Sequence, residues 1–288
     1  MKSMAKQIFM ALVALFVSVG AYAGDGGVVY APEDSAEVVR LLSEAKGKAA
    51  TPLYFAKKLL GRPYVGHTLE VNGDNEKLVV NLRELDCTTL VESATALAMA
   101  AKKGDATFDA YCRCLRLIRY RGGDNSGYAS RLHYFSQWID DNCRKGIISD
   151  IGAGGDFPFT ARQTINVYFM TRNPKLYRQL DGNVAMQKEI AGYEAQINGR
   201  VVNYIPKNLL NLGRDKLGCI HDGDIIALVT SKAGLDISHV GIAAWKNGKL
   251  HLLNASSLQH KVVLDRRSLY DYQKSRASQL GIRVVRLR

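Results

Sequence analysis

Asp86-Cys87-Thr88 stands where an extended segment runs into an apolar stretch of helical spacing, and Ser238-His239-Val240 and Leu253-Asn254-Ala255 follow in the last third of the chain. A thiol in the first turn of a helix is favoured as thiolate by the unpaired N–H groups and the dipole of that end. A histidine held against it serves first as base and then as acid. Asn254 would hold the second ring nitrogen and fix its tautomer. The order is Cys, His, Asn, with His239 152 residues after Cys87 and Asn254 another 15 along. Singly, Cys87 reads as an ordinary buried thiol and His239 as a core histidine, because free cysteine packs as a small hydrophobe. Together they predict acyl transfer through a thioester, with the Cys87 N–H and a second donor receiving the oxyanion.

These side chains need rigid supports, and the apolar pattern supplies them. Residues 35–60 are predicted helical from Val38, Leu41, Leu42, Ala45, Leu53, Ala56, Leu59 and Leu60, ending at Gly61-Arg62-Pro63. Residues 77–82 read as a strand, and residues 88–101 as a strongly apolar helix that begins at the cysteine. Helices are expected over 108–120 and 129–143, around the glycine-rich loop 122–127. Residues 152–204 are mixed and basic. Gly152-Ala153-Gly154-Gly155 follows no clear strand and lacks a Lys-Ser ending, which argues against a phosphate-binding loop. Strands at 225–229, 240–245, 250–253 and 282–285 complete an α+β layout of helices first and antiparallel strands after.

Lys2 and Lys6, the apolar run Ile8 to Val19 and the small-residue pattern Ala21-Tyr22-Ala23 predict a signal peptide over residues 1–23, cleaved after Ala23, and export to the periplasm. The run is shorter than the roughly 20 residues of a membrane span, so no stable membrane insertion is expected. No cysteine follows the cleavage position to carry a lipid. Losing Lys2 and Lys6 lowers the formal charge from +12 to +10, which suits anionic wall polymers and acidic peptides as partners. No dense basic stripe is interleaved with aromatics, so nucleic acid is not expected. Five cysteines in an exported chain leave at least one thiol free. Cys112 and Cys114 would sit about 200° apart around a helix and cannot easily share a metal. With Cys143 and Cys219 they read as small hydrophobes or one bridge. No metal or other cofactor is expected.

Gly61-Arg62-Pro63-Tyr64-Val65, Leu85-Asp86-Cys87-Thr88-Thr89-Leu90-Val91, Asp222-Gly223-Asp224-Ile225-Ile226, Ser238-His239-Val240-Gly241-Ile242 and Leu252-Leu253-Asn254-Ala255 together resemble the NlpC/p60 superfamily of papain-fold cell-wall cysteine hydrolases. The resemblance implies Cys87 as nucleophile, His239 as base, Asn254 as the third polar group, and Tyr64 lining the site. It implies a papain-like fold, with the nucleophile helix packed on an antiparallel barrel or sheet. Residues 24–288 would form one catalytic domain, with a mainly helical insertion at about 105–206 and the strand region at about 208–288. The usual Asp-Cys-Ser-Gly is here Asp-Cys-Thr-Thr, and the Trp-Gly-Gly that commonly follows the tyrosine is missing. In endopeptidase branches the aspartate matching Asp86 helps hold a free L-alanine amine.

Ser130-Arg131-Leu132-His133-Tyr134-Phe135-Ser136-Gln137-Trp138-Ile139, Tyr204-Ile205-Pro206-Lys207 and Gly234-Leu235-Asp236-Ile237-Ser238-His239 are similar to a subfamily of N-acetylmuramoyl-L-alanine amidases that favours soluble anhydro-muropeptides. Peptidoglycan fragments are then the expected partner. Arg131, His133 and Tyr134 become candidates for gripping the peptide stem, since arginine holds carboxylates through paired bonds. A γ-D-glutamyl-diaminopimelate endopeptidase and a non-catalytic wall-binding protein are the alternatives. His67, His221, His251 and His260 read as structural.

Overall fold

The computed structural model describes residues 22–24, 27–70 and 75–288. Residues 1–21 of the expected signal peptide lie outside them. Strand β1 (Tyr22–Gly24) pairs with β2 (Val28–Tyr30) ahead of helices α1 (Pro32–Glu44) and α2 (Pro52–Lys58) and the short strand β3 (Leu78–Val79). The expected helix over 35–60 is thus two helices. Gly47, at φ 72°, takes a left-handed turn that an L side chain resists, and Thr51 caps the second helix with its hydroxyl. The expected strand over 77–82 shrinks to two residues.

Helix α3 (Cys87–Lys102) is buried from Thr89 through Ala100. Its small residues Ser93, Ala94, Ala96, Ala98 and Ala100 let α2, α4 (Phe108–Arg119) and the sheet approach closely. A buried ion pair enters this core. Glu92 is 2% exposed and meets the equally buried Arg119, Nε to Oε2 at 2.7 Å, while Arg119 also donates to the Val79 carbonyl. Burial outweighs the guanidinium and holds the Glu92 carboxyl above the usual carboxylate range.

Helix α5 (Phe135–Arg144) starts six residues later than the spacing predicts, because Tyr128–Ser130 form a 3-10 turn and Arg131 extends to bridge Tyr120. Strands β4 (Ile148–Asp150) and β5 (Ala161–Thr164), helices α6 (Phe169–Arg172) and α7 (Val184–Ile197) and strand β6 (Val201–Pro206) follow. The chain ends with β7 (Ile225–Thr230), β8 (Ile237–Lys246), β9 (Lys249–Ser256), β10 (Lys261–Leu264), α8 (Leu269–Gln273) and β11 (Gln279–Leu287). The large sheet runs β10-β9-β8-β7-β11-β6-β5, with β4 on β11, and every pairing in it is antiparallel.

Both faces of the central strands are covered, which is why residues 225–229 are apolar without alternation. Ile225 and Ala227 join the core built on α1 to α5. Ile226 and Leu228 face a second core with Phe159, Ile205, Leu252, Leu269 and Ile282. A third cluster, Tyr128, Tyr134, Ile165, Val167, Met170, Leu180, Ile190 and Ile197, binds α6 and α7 beside the sheet. Among the described residues no helix is long and apolar enough to cross a membrane.

Candidate active site

Asp86 ends an extended segment and caps α3: its Oδ1 accepts from the Thr89 N–H at 2.8 Å and the Thr89 hydroxyl at 2.9 Å, and the Asp86 N–H donates back to Thr89 Oγ1. Threonine at position 89 therefore closes a reciprocal cap. Because Asp86 takes the Thr89 N–H and its carbonyl takes the Leu90 N–H, the Cys87 and Thr88 N–H groups are the first-turn donors left at the helix end. Cys87, half-buried, is the first residue of that end.

His239 comes from β8, against which α3 packs. Leu228 of β7 pairs with His239 and Val229 with Ile237, so Ser238 is an extra residue in β8. Such a bulge twists the strand and re-aims its side chains. Ile242 pairs with Leu253, which sets Gly241 opposite Asn254. His239, Gly241 and Asn254 consequently share one face, and the bare glycine leaves the diagonal open. A Cβ at Gly241 would lie 2.7 Å from the Leu253 carbonyl oxygen.

Through that opening fully buried Asn254 places Oδ1 2.9 Å from His239 Nε2, so the ring donates there and Nδ1 is left for Cys87. Burial works against charging this ring. The charge and hydrogen bond of Cys87, with the Asn254 bond, outweigh it and hold His239 above its ordinary value. Tyr272 of α8 stacks against the imidazole at 6.4 Å and 19°. Tyr64 also stands near, and burial followed by the charges of Cys87 and Asp86 pushes its hydroxyl up.

The residues expected to grip a peptide separate into different environments. Arg131 is corrected: its side chain is buried, ion-paired to Glu70 at 2.6 Å and Glu76 at 2.7 Å, and absent from the cleft wall. The Tyr120 bridge turns it inward, where two carboxylates consume its donors. Tyr134 borders the cleft, yet its hydroxyl donates to Glu194 at 2.7 Å and accepts from the Met170 N–H at 2.9 Å, tying α5 to α6 and α7. That spent hydroxyl has no bond to offer a ligand. His133 does line the cleft. Burial, then the Arg131 charge, pushes it down to about 3, and its Nε2 bonds the Tyr128 carbonyl, so it is a neutral wall.

The cleft beside Cys87 has a volume of about 200 Å³. Leu235, from the Gly234 to His239 motif, shares its apolar side with Phe169, Met170 and Tyr177, which sequence reasoning did not single out. Phe169, Met170 and Tyr177 lie 82 or more residues from Cys87 and carry no motif. All five cysteines are free thiols, and burial pushes those of Cys114, Cys143 and Cys219 up and that of Cys112 to about 12. Among the described residues no cluster of three or more His, Cys, Asp or Glu forms a metal site.

A family model described as AmiA-like, N-acetylmuramoyl-L-alanine amidase-like, matches residues 54–282. A solved structure described as an N-acetylmuramoyl-L-alanine amidase from Bacteroides uniformis ATCC 8492 is 38% identical, with TM-score 0.77 over 83% of this chain and 98% of its own. A Bacteroides fragilis structure provisionally named a xylanase is 41% identical, with TM-score 0.76 over 82% of this chain and 100% of its own. A Legionella pneumophila structure at 22% identity and TM-score 0.66, covering 88% of this chain and 94% of its own, shares the fold. No curated protein matches.

Proposed function

The chain belongs to the AmiA-like, N-acetylmuramoyl-L-alanine amidase-like family, and from that premise we propose that it cuts the amide between muramic acid and L-alanine with Cys87 as nucleophile, on the papain-like plan of the NlpC/p60 hydrolases. The observation that carries this reading is the hydrogen-bonded chain Cys87–His239–Asn254 at the N-terminus of a buried helix. The Cys87 thiolate attacks the lactyl carbonyl carbon, and the oxyanion meets the Cys87 and Thr88 N–H groups. His239, as imidazolium, gives its Nδ1 proton to the alanine nitrogen as the C–N bond breaks and the peptide leaves. Water then attacks the thioester, His239 takes its proton, and the C–S bond breaks to free the lactyl acid and restore the thiolate.

Soluble fragments, including anhydro-muropeptides, fit a cleft walled by α6 and the loop carrying Tyr177 better than a polymer does. The leader-like first 23 residues support export to the periplasm. An endopeptidase would use Asp86 to hold a free amine; here its Oδ1 caps α3 through Thr89, and the Thr88-Thr89 pair stands where the endopeptidase pattern has Ser-Gly. A xylanase needs two carboxylates about 5 to 9.5 Å apart across the scissile bond. Asp236 is the one carboxylate on the cleft wall among the described residues, and it accepts from the Ser136 N–H at 2.9 Å.

Digesting disaccharide-anhydro-tetrapeptide and weighing the products tests the bond. Intact tetrapeptide is expected, whereas L-Ala-D-Glu as product would mean the endopeptidase. The working pair needs His239 charged, so kcat/KM should fall as pH rises through its raised value. Asn254→Ala removes one contact that raises His239 and should shift this alkaline limb to lower pH. A limb that stays in place in the variant would show that Asn254 does not tune the ring.

A further inference from the structure

Two recesses meet at His239. The first is the apolar cleft that Cys87 lines. The second, about 220 Å³, is polar and basic, with Lys232, Arg276, Ser238, Ser256, Tyr272 and Gln279 on its walls. Arg276 sits 4.3 Å above the Tyr272 ring, and neither it nor Lys232 pairs with a carboxylate among the described residues. The acid nearest in sequence, Asp271, is bound to Lys274, and Asp265 is bound to Arg267. Gln279 is 5% exposed, and its Oε1 is buried without a hydrogen-bond partner. A buried acceptor without a partner, on the wall of a recess whose two cations meet no carboxylate among the described residues, suits an anionic ligand that also carries N–H groups.

The bond to be cut divides its substrate by charge. The acyl half, a sugar with an acetamido group, is neutral once its lactyl carboxyl is in the amide. The leaving half is a peptide with several carboxylates. Chemistry also divides the halves by position: the acyl half stays on the cysteine, and the leaving nitrogen receives the histidine's proton. Cys87 borders only the apolar recess, whereas His239 borders both. We infer that the Arg276 and Lys232 recess is the leaving-group subsite and holds a carboxylate of the released peptide, while the neutral sugar lies along the Phe169 and Met170 wall.

The orientation rests on the amidase reading, so the test reads binding and not turnover. Cys87→Ala protein is titrated with free L-alanyl-γ-D-glutamyl-diaminopimelate and with the same peptide amidated at every carboxylate. The acid form should bind more tightly. Arg276→Gln should weaken it about tenfold and the exposed Lys232→Met about two- to fivefold, with the difference between the two peptides largely erased in the double variant. Arg276→Lys should restore part of the preference. Lys232→Met changes an exposed side chain and keeps the test sound if Arg276 variants fold poorly. No binding of the acid peptide, or an undiminished preference in the double variant, overturns the subsite. Binding through Arg276 in a protein that releases some other product retires the amidase reading and keeps the anionic recess.

Discussion

Cys87→Ala protein should release no tetrapeptide from disaccharide-anhydro-tetrapeptide, with kcat/KM down by at least about 10⁴-fold, because no other group can form the acyl intermediate. The four remaining thiols are held up by burial and have no histidine bonded to them. The fold should survive. Asp86 and Thr89 cap α3 without help from the thiol, and Cys87 is only half-buried, so urea unfolding should move by about 1 kcal/mol or less. Iodoacetamide at neutral pH should label Cys87 ahead of the other four in the parent. If the variant retains activity, or unfolds far more easily, Cys87 is a structural thiol and the wall-binding alternative gains.

Arg119→Leu should cost about 3 to 5 kcal/mol in urea unfolding, since it strands a buried carboxylate and the Val79 carbonyl together. Leu is apolar enough for the site, so the loss comes from Glu92. Glu92→Gln with Arg119→Met, which removes both charges, should lie much closer to the parent. The pH dependence has a definite sign. Glu92 titrates above its unfolded value, so the native state keeps a proton that the unfolded chain has lost. Stability from this group therefore falls as pH rises through that window. Without Arg119 the carboxyl moves further up, and the deficit of the single variant should shrink as pH is lowered toward the carboxylate range. A deficit independent of pH would place the damage elsewhere.

The meeting of Cys87, His239 and Asn254 was legible because each residue is placed by local rules. Asp86 and Thr89 have the spacing of a reciprocal cap, α3 is mostly apolar, and β8 and β9 are long apolar runs joined at Asn247-Gly248. Arg131 was misread because nothing local reveals that Glu70 and Glu76 fold back onto it from 55 to 61 residues away. The cleft wall of Phe169, Met170 and Tyr177 was invisible for a related reason: α6 is a four-residue helix held by a small core of its own, and so short an element carries no period. Tyr272 and Arg276 lie in and just after α8, another short helix, of five residues, and gave no signal either.

The extra residue at Ser238 also bears on when the protein becomes dangerous to its surroundings. Facing of side chains in a strand reverses with every one-residue slip, so His239 and Asn254 meet only in the final register of β7, β8 and β9. Helix α3 and its thiol can form from local contacts, while the proton acceptor arrives with distant ones that close late. A chain still emerging, or cut short before Asn254, carries a cysteine with no working partner. On the proposed mechanism, hydrolytic power would be withheld until the last third of the polypeptide is in place.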